Sequence, residues 1–188
     1  MLNPLLPDNL DWQPRLACDE DIPAMETLIP LSVRALQANC YSVAQMDAAI
    51  GTIFGVDRQL IRDGTYFIVE REAQILGCGG WSKRRSLYGS DALRTGPDPE
   101  LDPKRDKARI RAFFVHPMWA RRGIGRNIMM ACEKAIVAAG FRGVEISATI
   151  TGKLLYASFG YKTVEHYELH MAGNLRLPVV RMTKTFQS

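Results

Sequence analysis

The sequence predicts an α/β (α+β) fold, a central sheet flanked by helices. Three observations carry this. Apolar residues recur at helical spacing through the first third of the chain, and the period changes at Thr65 to that of a strand. A strand–turn–helix unit occupies Ala108–Ala139, with a turn rich in arginine and glycine. Beyond it, short strand and helix signals alternate. The 188 residues suit one compact domain, taken as 1–188.

Met1–Pro14 reads as an extended, Pro-punctuated lead-in, and Arg15–Cys18 as a short first strand. Asp19-Glu20-Asp21 supplies carboxylates that can accept from the orphan N–H groups of a first helical turn. Ile22, Met25, Leu28 and Ile29 follow at helical spacing; Pro30 is expected to end or kink that helix, which Leu31–Asn39 can continue. Val43–Ile50 and Asp57–Arg62 read as two more short helices. Thr65–Glu70 is β-branched and aromatic, hence a strand, and Ile75–Ser82 is its hairpin partner across a polar turn at Arg71–Gln74. Gly77, Gly79 and Gly80 inside that partner predict a bulge or a close backbone approach.

Lys83–Lys107, with Pro97, Pro99 and Pro103, reads as a long loop between two sheet strands, a candidate lid on the substrate side. Ala108–Val115 alternates cleanly, which predicts Ile110, Ala112 and Phe114 on one face and Arg109, Arg111, Phe113 and Val115 on the other. His116-Pro117 stops this strand. Gly123–Ala139 is a helix whose stripe is Ile124, Ile128, Cys132, Ala135, Ile136 and Ala139, with Gly140 as its stop. Gly143–Thr149 is a strand, Gly152–Phe159 a short helix, Tyr161–His170 a strand, and Leu177–Phe186 closes the sheet.

A formal charge of +4 and a pI of about 9.0 make a mild excess. That is not the composition of a dedicated nucleic-acid binder, and it fits a protein that holds one polyanionic cofactor. Cys18, Cys40, Cys78 and Cys132 lack metal-type spacing and read as reduced thiols of a cytoplasmic protein. No secretory leader and no spanning stretch of roughly 20 apolar residues is read in the sequence, so no membrane partner is expected.

The turn Arg121-Arg122-Gly123-Ile124-Gly125-Arg126 carries the chemistry. The first N–H groups of a helix have no internal acceptor and point outward at the positive end of the macrodipole. A phosphate there collects several N–H bonds at once. Gly123 and Gly125 keep side chains out of its way, and Arg121, Arg122 and Arg126 add charge-assisted bonds to a diphosphate. The Rossmann fingerprint fails because Ile128 stands where its third glycine belongs, and no P-loop string exists.

Taken together, Val115-His116-Pro117, Ala120–Arg126, Ala139-Gly140-Phe141 and Leu155-Tyr156-Ala157-Ser158-Phe159-Gly160-Tyr161 resemble the cofactor-binding core of the GNAT (GCN5-related) N-acetyltransferase superfamily. The resemblance covers about 108–164, with 15–107 left for the acceptor side. One departure is Ala120, where the family's loop has Arg or Gln; Arg121 and Arg122 are adjacent.

The resemblance implies the GNAT acyl-CoA N-acyltransferase fold, with a mixed, mostly antiparallel sheet. It implies direct transfer of an acetyl group from acetyl-CoA, as cosubstrate, to a primary amine. The thioester is expected where Ala108–Val115 and Gly143–Thr149 splay apart, with main-chain groups near Phe114 and Val115 pairing with the pantetheine arm. Arg121, Arg122, Gly123, Ile124, Gly125 and Arg126 are expected at the pyrophosphate. Tyr156 matches the family tyrosine that protonates the leaving thiolate, and a phenol is a protonated donor at neutral pH. Leu154, Leu155 and Phe159 are expected in the core.

Glu145, Glu70 and His116 are weighed as general base and none is selected; His116 reads rather as a turn residue. His166 and His170 lack ligand-spaced partners, so no metal is expected, and Cys132 belongs to the apolar stripe rather than to a nucleophile. A small-molecule or peptide amine is the expected acceptor, and homodimerisation, common in the family, stays open. Two other readings stand beside this one. The first is a non-catalytic acyl-CoA sensor. The second is a nucleic-acid binder using Lys83-Arg84-Arg85 and Lys104–Arg111, diluted by Asp98, Glu100, Asp102 and Asp106.

Overall fold

A computed structural model describes residues 13–93 and 96–187. Most of the Met1–Pro14 lead-in lies outside them. The elements are β1 (Arg15–Leu16), α1 (Ile22–Leu36), α2 (Val43–Ala49), α3 (Arg58–Arg62), β2 (Tyr66–Arg71), β3 (Gln74–Ser82), β4 (Ala108–Val115), α4 (Ile124–Ala138), β5 (Gly143–Thr149), α5 (Lys153–Ser158), β6 (Lys162–His170) and β7 (Arg176–Thr185). The seven strands form one sheet in the order β1-β2-β3-β4-β5-β7-β6. Every pairing is antiparallel except β4 with β5, so the sheet is mixed and mostly antiparallel as expected. The last strand does not close an edge: β7 lies between β5 and β6.

Alternation along the strands sends apolar side chains to both faces, and each face has its own core. On one face Val69, Leu76 and Ile110 meet Ile124, Ile128, Cys132 and Ile136 of α4. On the other, Tyr66, Ile68 and Cys78 meet Met25, Ile29 and Val33 of α1, together with Met46 of α2 and Leu60 of α3. Fully burying each such aliphatic side chain contributes about 1.5–3 kcal/mol.

Local chemistry sets the ends. Ser42 caps α2 by accepting from the Gln45 N–H, while the Gln45 side chain accepts the Ser42 N–H, a reciprocal box. Asp57 caps α3 through the Gln59 N–H. The β2–β3 turn places Glu72 and Ala73 at φ 51° and 61°, the doubly left-handed turn that matches strand twist. Pro30 neither ends nor splits α1, which runs on to Leu36. Its buried face of Met25, Ile29 and Val33 holds the turns on either side of the proline together.

The expected clean alternation of β4 is incorrect. Cys78 pairs with Phe114 but Gly80 pairs with Arg111, so β4 carries one extra residue opposite Gly79. Ala112 takes that place at φ 57°. Ile110 therefore faces the α4 side while Ala112 and Phe114 face the α1 side, and Phe113 turns to the α4 side. The glycine opposite is required: a Cβ on Gly79 would sit 2.7 Å from the Phe113 ring.

Candidate active site

β4 and β5 are paired only at Ala108 with Val144 and Arg109 with Glu145; beyond those two rungs they diverge. The divergence opens a cleft of about 350 Å³. At one end stands the start of α4. Pro117–Trp119 makes a single tight turn, Arg121 lies at φ 64°, and Gly123 caps the helix at φ 87°, a conformation that favours glycine. The first helical bond runs from Asn127 N–H to Gly123 O, at 3.0 Å. The N–H groups of Ile124, Gly125 and Arg126 therefore have no intrahelical acceptor. A Cβ on Gly125 would sit between Leu155, at 3.4 Å, and Val115, at 3.8 Å, on the cleft wall.

Arg121, Gly123, Ile124, Gly125 and Arg126 all line this cleft, as do Phe114, Val115 and Tyr156. Arg122 does not line it; its guanidinium lies 5.1 Å from the centre of the Trp119 ring, a cation–π placement. Ala120, the departure from the family loop, is itself on the cleft wall. The Val115 N–H donates to Ser32 Oγ of α1 at 3.1 Å.

Tyr156, on the same cleft wall, is 5% exposed. Its ring meets Phe113 edge-on at 6.1 Å and Tyr161 at 6.0 Å. Burial pushes its phenol up, with the Cys132 thiol a smaller contributor, so the group stays protonated at neutral pH. Leu155 lines the cleft and Phe159 packs partly on the core beneath Arg126, 5.5 Å from the ring. Leu154, expected in the core, is 73% exposed, because a six-residue helix has only one inward side.

A second, narrower cavity of about 70 Å³ adjoins the first. The two share Gln37, Phe113, Phe114, Thr149 and Tyr156 as walls. Its far side is formed by Ile53, Phe54, Leu87, Tyr88, Gly89 and Arg111.

The Lys83–Lys107 segment is thus a wall here and is not structureless. Arg84 pairs with Glu100 in an isolated bridge and with Asp63 at 2.7 Å, and Leu101 is buried. Arg111 is 4% exposed, with Asp57 at 2.8 Å and Asp98 at 4.0 Å, and donates to the carbonyls of Ser86 and Gly89. Burial of this cation is offset by charge and by hydrogen bonds, and the pairing fastens the segment to the sheet.

The general-base candidates lie elsewhere. Glu145 pairs with Arg109 at the closed end of the cleft. Glu70 pairs with Arg15 near the β1 edge. His116 accepts the Met118 N–H at 3.2 Å, a turn residue as expected. Cys132 is fully buried in the core. Among the described residues, no group of three or more His, Cys, Asp or Glu is placed to hold a metal.

Sequence reasoning missed Ser32 and Gln37. Both are buried polar residues of α1 and its cap, at 4% and 7% exposure. The legible signal was that they continue the apolar stripe of Met25, Ile29 and Val33 at three- and four-residue steps.

Residues 101–186 match the family described as acetyltransferase (GNAT) domain. No match is found among curated proteins. Among solved structures, the chain is similar to a Rhodopseudomonas palustris protein described as a GCN5-related N-acetyltransferase: aminotransferase, class-II. Identity is 20%, TM-score 0.68, and the match covers 93% of this chain and 96% of that one. The PaiA N-acetyltransferase of Thermoplasma acidophilum, solved with coenzyme A, is 13% identical with TM-score 0.64, covering 94% and 100%. The ribosomal-protein-alanine N-acetyltransferase of Brucella melitensis is 17% identical with TM-score 0.60, covering 93% and 99%. At such identities the likeness to these structures concerns the fold.

Proposed function

We propose that this chain is a GNAT-superfamily N-acetyltransferase that moves an acetyl group directly from acetyl-CoA to a primary amine, a reading supported by its fold and by the family match over residues 101–186. The observation that carries this reading is the cleft between β4 and β5, whose walls hold both the helix N–H groups without an intrahelical acceptor and a buried tyrosine.

The residues fit the cosubstrate. The start of α4 offers N–H donors and the positive end of a dipole to a diphosphate, and Arg121 and Arg126 add charge on the same wall. Gly125 leaves the backbone open there. The cosubstrate would supply an activated thioester. The narrow second cavity presents the amine to it across the shared wall of Phe113, Phe114 and Tyr156, so proximity and exclusion of water do much of the work. A new N–C bond forms as the C–S bond breaks. Tyr156 gives its phenolic proton to the departing sulfur, and the proton lost by the amine restores the phenol. No covalent bond to the chain is needed.

The acceptor belongs to the same proposal as a small-molecule or peptide amine. The two basic stretches favour this over nucleic acid, because Arg84, Arg109 and Arg111 are each paired with carboxylates. The cysteines are free, as in a cytoplasmic protein, and no helix of the described residues is long and apolar enough to cross a membrane. Calorimetry with CoA, followed by a thiol-release screen of acetyl-CoA against small amines, amino acids and peptide N-termini, tests the reading. Uptake followed by release supports it. Uptake with no release against any amine favours a sensor, and folded protein that takes up no CoA removes the proposal.

A further inference from the structure

We infer that the side-chain oxygen of Gln37 accepts a hydrogen bond from the attacking amine and so aims its lone pair at the thioester. The inference rests on the transfer reading above. Gln37 is 7% exposed, yet its Oε1 is buried and accepts no hydrogen bond from the described residues. A buried carbonyl oxygen left without a donor is costly, so a native structure that keeps one invites a functional reason. Its location supplies that reason: Gln37 is a wall of both cavities, at the place where the acceptor side opens on the cleft.

The backbone holds this residue in place. Gln37 closes α1, its N–H bonded to Val33 O at 3.0 Å. Its own carbonyl accepts from the N–H groups of both Cys40 and Tyr41, at 2.9 and 3.0 Å. Tyr41 in turn donates its hydroxyl to Pro178 O and accepts the Ile150 N–H, which ties this turn to the chain leaving β5 and to β7. The amide is thus carried on a braced turn, not on a mobile loop.

Chemistry selects an amine as what the oxygen receives. The titratable or charged groups on the two cavity walls are Tyr88, Arg111, Arg121, Arg126 and Tyr156. None is a carboxylate or an imidazole. Arg111 is already matched by Asp57, so it offers no free charge to the carboxylate of an acceptor. A neutral amine needs only an acceptor for one N–H while its lone pair attacks, and an amide oxygen provides that without taking the proton. The chain therefore orients an amine that arrives already neutral. The 70 Å³ slot admits an unbranched amine end.

The test uses acetyl-CoA with two probes: n-butylamine, mostly protonated at pH 7, and hydroxylamine, mostly neutral there. Gln37→Met, of equal length and without an oxygen, is expected to lower kcat/KM for both amines by about tenfold or more. The KM for acetyl-CoA and the Kd for CoA stay unchanged. Gln37→Glu keeps an acceptor oxygen and is expected to retain most of the n-butylamine rate. It should also add a new ionisation to the hydroxylamine pH profile, which is expected to be flat above pH 7 in the wild type. Gln37→Met with wild-type kinetics, or with acetyl-CoA affinity falling in parallel, overturns the assignment. If Gln37→Met does not fold, a Gln37→Glu hydroxylamine profile identical to wild type overturns it instead. Wild-type protein that takes up CoA but acetylates neither probe sinks the transfer reading itself, and the role of Gln37 with it.

Discussion

Val115 donates its backbone N–H to Ser32 Oγ at 3.1 Å, joining the β4 edge that faces the cleft to the buried stripe of α1. The hydroxyl holds an N–H that a pantetheine carbonyl would otherwise receive. Ser32→Ala is expected to cost about 1 kcal/mol of stability in the free protein, the low end of the range for an orphaned donor because the cleft admits water. Thermal melts with and without CoA check this: the deficit should shrink when CoA is saturating, and an equal deficit in both would remove the shared-donor idea.

Gly125→Val should fold and fail to bind. The added Cβ meets only ordinary contacts with Leu155 and Val115, so the helix start survives, but the branched methyls enter the cleft. Calorimetry should show CoA affinity down by at least about tenfold, equivalent to 1.4 kcal/mol. Unchanged affinity in the folded variant counts against the placement of the diphosphate.

Tyr156→Phe keeps the edge-on packing against Phe113 and loses the proton donor. Turnover should fall by about 10²-fold or more while CoA affinity holds, the signature of an interaction made in the transition state. A parallel loss of both would make Tyr156 a packing residue.

Asp57→Ala removes the nearest carboxylate from the buried Arg111 guanidinium and the cap of α3 at one stroke. Breaking a buried pair in this way is worth about 3–5 kcal/mol. Urea unfolding is the measurement, and a loss below about 1 kcal/mol would show that Asp98 alone balances the cation.

Stability should fall in acid through Asp21. The Arg15 guanidinium, bonded to both carboxylate oxygens, is the main reason the group sits at about 2 instead of 3.8. A depressed folded value means that the pairing stabilises above pH 3.8 and is lost as the pH falls towards 2. Denaturation profiles of Asp21→Asn should be flatter than wild type across that window, and superimposable slopes would contradict the linkage.

Sheet, helices and the glycine-started turn before α4 were legible because each rests on local chemistry. The period of Thr65–Glu70, the stripe of α4 and the two glycines at its start are written in adjacent residues. The bulge at Ala112 was not legible, since alanine carries no mark of a left-handed backbone and the compensating Gly79 lies 33 positions earlier. Nor was the wall of the smaller cavity. Gln37, Leu87 and Arg111 meet only through tertiary packing, and the ion pairs that fix Arg111 join residues far apart in the chain. Leu154 shows the reverse error, an apolar residue taken as buried that a short helix turns outward.

The place of β7 between β5 and β6 has a consequence for biosynthesis. As the polypeptide emerges from a ribosome, β6 has no sheet neighbour until residues 176–185 have also been made. β5 can meanwhile hold to β4 by only two rungs. Nascent chains arrested between β6 and β7 should therefore expose the unpaired backbone edges of β5 and β6, the kind of species chaperones intercept, and cooperative closure waits on one late-arriving segment.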